Sequence, residues 1–251
     1  MKEQTKPNIQ FYGLSDIGLA RPNNEDSWGK LPNFHLYALA DGMGGHRAGE
    51  VASKEAITCF FDMMTNTLLL HKKYRTINEM KKALLYAIEQ TNWVVYQKSQ
   101  EHKSLRGMGT TFCSLYFFGS SHTLLAHVGD SRIYCIRNNS IEQLTEDHCV
   151  LRKIPSDHNT HNTKETLSYK RLITRAVGIN PKVQPTISEY NRKHGDIFLM
   201  CSDGLSDCVS EDEIKKSLLQ TQTIKEAAKT LIKIAKNHGG DDNITVILIK
   251  S

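Results

Sequence analysis

Six short runs rich in β-branched, aromatic and aliphatic residues, at 34–40, 111–118, 123–128, 132–136, 197–201 and 244–249, each stop at a glycine, an acidic residue or another turn former. Runs of this length and composition read as β-strands. Some of the links between them are very short, notably Gly129-Asp130-Ser131 and Asn138-Asn139. Links this short predict hairpins, and hairpins mean antiparallel pairing, because a parallel crossover needs a dozen or more residues. The chain is directed towards antiparallel sheets and away from βαβ units.

Two long segments of helical period, 48–70 and 77–100, separate the first strand from the second. Val51, Ala52, Cys59, Phe60 and Met63 share one face of the first, and Ile77, Met80, Leu84, Ile88, Thr91 and Val95 one face of the second. Stripes this wide are core faces, since left bare they would form large apolar patches. Two further helices are expected at 211–219 and 224–237, behind Ser210 and Thr223 as N-caps. Sheets and amphipathic helices in layers make this an α+β chain. With 251 residues and a 39% hydrophobic content it can fill one core without disulfides.

The six cysteines, at 59, 113, 135, 149, 201 and 208, include no C-x-x-C pair and read as reduced core residues. Residues 1–8 are polar, and no run of about 18 apolar residues exists, which predicts a cytoplasmic protein that avoids the membrane. A net charge of +5 is spread over 32 basic and 27 acidic residues without a basic block, which argues against nucleic acid as a partner. The strongly polar stretch at 156–164, containing His158 and His161, reads as an exposed loop. Without a third ligand, that H-x-x-H spacing is weak as a metal motif.

Aspartates stand where the apolar runs stop: Asp41-Gly42, Asp130-Ser131, Asp203-Gly204 and, before the last strand, Asp241-Asp242-Asn243. Turn chemistry explains any one of them. Gathered at one end of a sandwich, they would repel one another and raise their pKa values unless a cation neutralised them. An all-oxygen ligand set without cysteine or paired histidine selects hard ions, magnesium or manganese.

The ordered motifs R-P-N-N-E-D (21–26), L-A-D-G-M-G-G-H (39–46), G-T-T (109–111), H-V-G-D-S-R (127–132), C-S-D-G-L-S-D (201–207) and G-G-D-D-N-I-T-V (239–246) resemble the series of the type 2C, metal-dependent serine/threonine protein phosphatases (the PPM family), in its bacterial form. The resemblance spans nearly the whole chain. It implies a four-layer α-β-β-α sandwich, two antiparallel sheets flanked by helix pairs, as a single domain over 9–250 with a flap at about 147–178. It also implies two Mn2+ or Mg2+ ions per chain, bridged by Asp41, with the Gly42 carbonyl on the first and Asp203 and Asp242 on the second. Asp242 is preferred to Asp241 because it directly precedes Asn243.

Asp130 and Asp207 match ligands of a third, weaker ion, although capping and turn roles compete for both. Glu25 and Asp26 match holders of metal-bound waters, and Arg21 the phosphate-binding arginine. The implied activity is hydrolysis of phosphoserine and phosphothreonine by a hydroxide activated between the ions, with phosphoproteins, a serine/threonine kinase and its targets as partners. Alternatives are an inactive phosphatase-like regulator, against which the retained Asp41, Asp203 and Asp242 speak, and a hydrolase of small phosphoesters.

Two departures matter. Met43 stands where many eukaryotic relatives carry a histidine assigned as the acid for the leaving oxygen, and methionine cannot donate a proton. His46 is the nearby candidate for that role, alongside a metal-bound water. In the flap, a polar His/Asn/Thr stretch replaces the short amphipathic helix usual in bacterial relatives, so substrate choice is expected to differ there.

Overall fold

The computed structural model describes residues 9–43, 48–70, 76–154 and 168–251. Strand β1 (Gln10–Asp16) pairs along its length with β13 (Ile244–Lys250), Gln10 opposite Lys250, so opposite ends of the described chain meet in one sheet. That sheet continues through β12 (Ile197–Cys201), β7 (Arg132–Arg137) and β8 (Ser140–Gln143). The second sheet runs in the order β11 (Thr186–Asn191), β6 (His122–Val128), β5 (Phe112–Phe118), β3 (Leu36–Met43) and β2 (Asp26–Leu31), with the short β4 (Gly109–Thr110) beside β3. Every pairing is antiparallel.

Alternation along the strands sorts side chains between layers. Tyr37 and Leu39 of β3 face inward and meet Phe198 and Met200 of β12 and Ile247 and Ile249 of β13 between the sheets. Leu36, Ala38 and Ala40 face outward and are covered by α1 (Ala48–Leu70) and α2 (Ile77–Glu101). On the opposite side Leu199, Val246 and Leu248 lie under α4 (Glu211–Gln220) and α5 (Ile224–Asn237). The central strands are buried on both faces, which is why they read as unbroken apolar runs.

Ser210 and Thr223 cap α4 and α5 as expected, each completing a reciprocal box with a glutamate three residues on, and Thr76 does the same for α2. The α1 stripe differs in phase from the expected one. Ala48, Ala52, Ala56, Phe60, Met64 and Leu68 are its residues in the buried core cluster, while Val51 and Met63 only flank the core. Small residues at 52 and 56 let the helix approach the sheet. Of the six unpaired cysteines, Cys113, Cys135 and Cys201 are buried, but Cys59, Cys149 and Cys208 are only partly covered, so half of them are not core residues.

One predicted hairpin is absent. Asn138 and Asn139 do make a two-residue turn, both with positive φ, between β7 and β8. Gly129-Asp130-Ser131 instead carries the chain from β6 in one sheet to β7 in the other. Gly129 has φ +101°, and a Cβ there would lie 2.8 Å from Thr111. The glycine allows a sharp crossing of the sandwich edge beside another loop.

Within the expected flap, β9 (Cys149–Ile154) and β10 (Ser168–Ile173) form a separate two-stranded ribbon. The polar stretch at 156–164, His158 and His161 included, lies outside the described residues. No helix among the described residues is long and apolar enough to cross a membrane.

Candidate metal centre

The turns at one edge of the sandwich bring the acidic motifs together. Asp41 near the end of β3 stands directly opposite Asp26 at the start of β2, and directly opposed residues of an antiparallel pair share a face. Asp203 opens the short helix α3 (Asp203–Ser206) immediately after β12. Its carboxyl shares a hydrogen bond with that of Asp41 and feels the charges of Asp130, Asp242 and Asp207. Asp203 thus links two overlapping acidic sets: it feels Asp130, Asp207 and Asp242, while Asp41 feels Asp26, Asp203 and Asp242.

Neutral polar residues hold the turns in place. The Asp41 amide donates to Thr111 Oγ1 at 3.0 Å, while Thr110 Oγ1 and the Thr111 amide both donate to the Asp41 carbonyl at 2.8 Å. Thr111 also bonds Ser131 at 2.7 Å, tying the sheet crossover to β3. Asp26 Oδ2 accepts from Thr245 Oγ1 at 2.6 Å and from Ser202 Oγ at 2.8 Å. Asn243, 4% exposed, accepts from the Glu25 amide at 2.7 Å and donates to the carbonyls of Ile17 and Asn23 at 2.9 and 3.0 Å. Asn243 thus pins the loop that carries Arg21 and Glu25 against the turn that carries Asp242.

Glycine is needed here for packing between backbones. A Cβ on Gly42 would lie 2.1 Å from the Gly49 carbonyl oxygen, and one on Gly204 would lie 2.1 Å from the Asn243 carbonyl oxygen. The Gly42 amide also donates to the Glu25 carbonyl at 3.1 Å. Close approach of Gly42 to the first turn of α1 is therefore a second reason for glycine, besides the approach to an ion expected from the sequence.

The carboxyls bear the electrostatic cost of this crowding. Burial raises Asp41 well above the ordinary carboxylate range, and the charges of Asp26, Asp203 and Asp242 push the same way. Burial, reinforced by Asp130, Asp242 and Asp207, takes Asp203 to about 7. Asp26 is pushed up to about 6 by burial, against the hydrogen bonds from Thr245 and Ser202. Burial also raises Asp130, partly offset by Arg171, and Glu25, partly offset by Asn23 and Arg21. Asp26 Oδ1 and Asp130 Oδ1 are buried without a hydrogen-bond partner among the described residues.

Arginines supply positive charge at both ends. Arg21 Nη2 donates to Asp242 Oδ2 at 2.5 Å. On the flap side Arg171 of β10 contacts Asp147 and Asp207 and comes within 3.8 Å of Asp130. Asp147 and Arg171 were not singled out from sequence, and Asn243 served there only as the landmark that selects Asp242. Asp147 lies in E-D-H (146–148), a stretch legible only as a flap boundary. His46 lies outside the described residues.

Among the described residues no three His, Cys, Asp or Glu side chains close into a ready-made cage. That is compatible with magnesium-type ions, which keep several waters and take one or two carboxylates each. Shared and orphaned carboxylate oxygens with elevated pKa values are the donors such ions would satisfy, so the residues present fit them.

Comparison with known proteins agrees. The family model described as protein phosphatase 2C matches residues 21–245. The serine/threonine phosphatase stp of Listeria monocytogenes is 34% identical over 241 residues, covering 94% of this chain and 93% of that protein. The serine/threonine phosphatase of S. agalactiae superposes with a TM-score of 0.80 at 30% identity, covering 96% of this chain and 99% of that one. The catalytic domain of PstP, solved in complex with two manganese ions, superposes with a TM-score of 0.76 at 32% identity, covering 96% of this chain and 97% of that one. With its motifs in order, its sandwich matched and its acidic turns assembled, this chain belongs to the protein phosphatase 2C family.

Proposed function

We propose that the chain is a serine/threonine phosphoprotein phosphatase whose two Mn2+ or Mg2+ ions would be held by Asp41, the Gly42 carbonyl, Asp203 and Asp242. The crowding of Asp26, Asp41, Asp203 and Asp242, with raised carboxyl pKa values and an orphaned buried oxygen, carries this reading. When bound, the two ions supply a nucleophilic water at neutral pH and positive charge at the reacting oxygens.

The chain's own groups do the rest. Arg21 is 51% exposed at the mouth, and its planar fork suits two phosphate oxygens, exchanging its hold on Asp242 for the substrate. Asp26 Oδ1, which no donor among the described residues satisfies, accepts from and orients water, and Glu25 does so from the loop that Asn243 pins. Thr110 and Thr111 fix the Asp41 backbone, so its carboxylate would be presented to the ions without reorganisation. Met43 offers no proton to the leaving oxygen, and His46 is the side chain we assign to that step.

Residues 9–250 then form one catalytic domain with a flap at 147–178, a reading supported by the β1–β13 pairing and by the β9–β10 ribbon. Asp130 and Asp207 would hold a third ion. Phosphoproteins are the substrates, a serine/threonine kinase and its targets among them. Six unpaired thiols favour a reducing, cytoplasmic setting.

The test is hydrolysis of a phosphothreonine peptide and of a chromogenic phosphoester by the purified protein, with Mn2+, with chelator, and as Asp203→Asn. Manganese-dependent turnover of the peptide, lost in Asp203→Asn, is expected. Turnover no higher with Mn2+ than in that variant would refute the reading, and equal efficiency on the small ester would shift it to small-molecule hydrolysis.

A further inference from the structure

The carboxylates on the flap side already hold a cation supplied by the chain. Asp147 is gripped by Arg132, whose Nε donates to Oδ1 at 3.0 Å and whose Nη2 donates to Oδ2 at 2.8 Å. Gln143 adds a bond to Oδ1 at 3.2 Å, so Asp147 is a fixed anchor. Arg171 reaches this anchor from β10 through one nitrogen and donates to Asp207 Oδ1 through the other. Its Nη2 is 3.8 Å from Asp130 Oδ2. Asp130 is 5% exposed, and its second oxygen is buried without a partner among the described residues. A guanidinium fork thus spans Asp147 and Asp207 beside a half-satisfied, buried Asp130.

We infer that Arg171 is a tethered cation that competes with a divalent ion for the Asp130–Asp207 pair, and that its grip ties the β9–β10 ribbon to the edge of the metal centre. This rests on the proposed role of Asp130 and Asp207 as ligands of a third ion. One carboxylate pair cannot bond a guanidinium and a dication together without bringing three positive charges into contact. Binding of the ion therefore expels Arg171, and expulsion leaves the ribbon without its link to α3 through Asp207. The divalent ion concentration needed for the third site, above that for the first two, then sets how firmly the flap is docked. Arg171 is a positioning residue in this scheme and touches no reacting atom.

Equilibrium dialysis with Mn2+ and amide hydrogen exchange over β9 and β10 test this on the full chain. Wild type should bind two tight equivalents and a weaker third, and filling the third should speed exchange in the ribbon. Arg171→Gln should bind the third equivalent about tenfold more tightly, within the usual range of coupling between sites, with the first two unchanged and fast ribbon exchange at all Mn2+ concentrations. Arg171→Lys, which keeps the charge without the fork, should leave the third equivalent weak while losing ribbon protection. Asp207→Asn should lose the third equivalent.

A third equivalent with the same affinity in Arg171→Gln as in wild type, or ribbon exchange indifferent to Mn2+ in wild type, would overturn the inference alone. Failure of wild type to bind two tight equivalents would instead overturn the two-ion reading beneath it, and this inference with it.

Discussion

Replacing Asp203 by asparagine should stabilise the metal-free protein while abolishing its response to manganese. Burial and three neighbouring carboxylates hold this carboxyl at about 7 in the fold, against about 3.9 in an unfolded chain. A folded-state pKa above the unfolded value means that the contribution to stability is fully present below about pH 4 and is lost as pH rises through about 7. Asparagine keeps the neutral state throughout. Three pKa units correspond to about 4 kcal/mol. Partial access of solvent to the site screens this to about 2–4 kcal/mol at pH 7.5. At pH 5 the folded carboxyl is still protonated and the gap narrows to about 1–2 kcal/mol.

For a chain of 251 residues these figures mean a Tm about 4–8 °C higher for Asp203→Asn at pH 7.5 and about 2–4 °C higher at pH 5. Calorimetry of both proteins with chelator at the two pH values reads the gap directly. The comparison cancels groups the two chains share, such as His148. Mn2+ at a thousand times its Kd should then reverse the order, because wild type gains about 4.1 kcal/mol and the variant gains little. A chelated variant no more stable than wild type at pH 7.5, or a gap that fails to narrow at pH 5, would refute the electrostatic account of the centre.

Three further outcomes follow from contacts. Gly42→Ala places a Cβ against the Gly49 carbonyl oxygen, and because backbone cannot move aside cheaply it should cost about 1–3 kcal/mol in urea unfolding, along with most of the activity. Asn243→Ala strands the Glu25 amide and two loop carbonyls, so it should cost about 2–4 kcal/mol and lower kcat/KM through the loosened Arg21 loop, as read by unfolding and steady-state kinetics. His148 is held down to about 4 by burial, then by His127 and Arg175, so its contribution is present above about pH 6.5 and lost as pH falls towards 4. Its Nδ1 accepts from the Gly129 amide, and His148→Asn, which can keep that acceptor, should flatten the fall in stability between pH 6.5 and 5 in an acid titration of the metal-free protein.

What could be read from sequence tracks how much of each element is apolar. The strands β3, β12 and β13 were legible because both faces are buried, and α5 because its cap and stripe agree. Strands β1 and β2 were not. Gly13 and Gly29 interrupt them, and both glycines are fixed by tertiary packing, under the Trp28 ring and against Phe61. The glycine of the 129–131 link has the same local chemistry whether the chain turns back in one sheet or crosses to the other. Only the partners of β6 and β7 distinguish the two.

The acidic residues of the candidate centre were legible for a related reason: a carboxylate at the end of an apolar strand announces charge near a core. Their supports were not. Thr245 reaches Asp26 across 219 positions and Asn243 reaches Glu25 across 218, and nothing in a neutral threonine or asparagine marks so distant a partner.

That division of labour explains how a site so unfavourable by itself persists. Apart from hydrogen bonds such as that shared by Asp41 and Asp203, the carboxylates do not order one another, since each raises the others' pKa and would relax apart if free to do so. Order is imposed instead by uncharged groups whose bonds do not weaken when an ion binds: Thr110 and Thr111 on Asp41, Ser202 and Thr245 on Asp26, Asn243 on the Arg21–Glu25 loop. Because these bonds go largely to backbone or to a single carboxylate oxygen, they leave the remaining oxygens for cations. Asp26 Oδ1 and Asp130 Oδ1, buried without donors among the described residues, are the points where stability is surrendered, and a cation or the water it holds would return it.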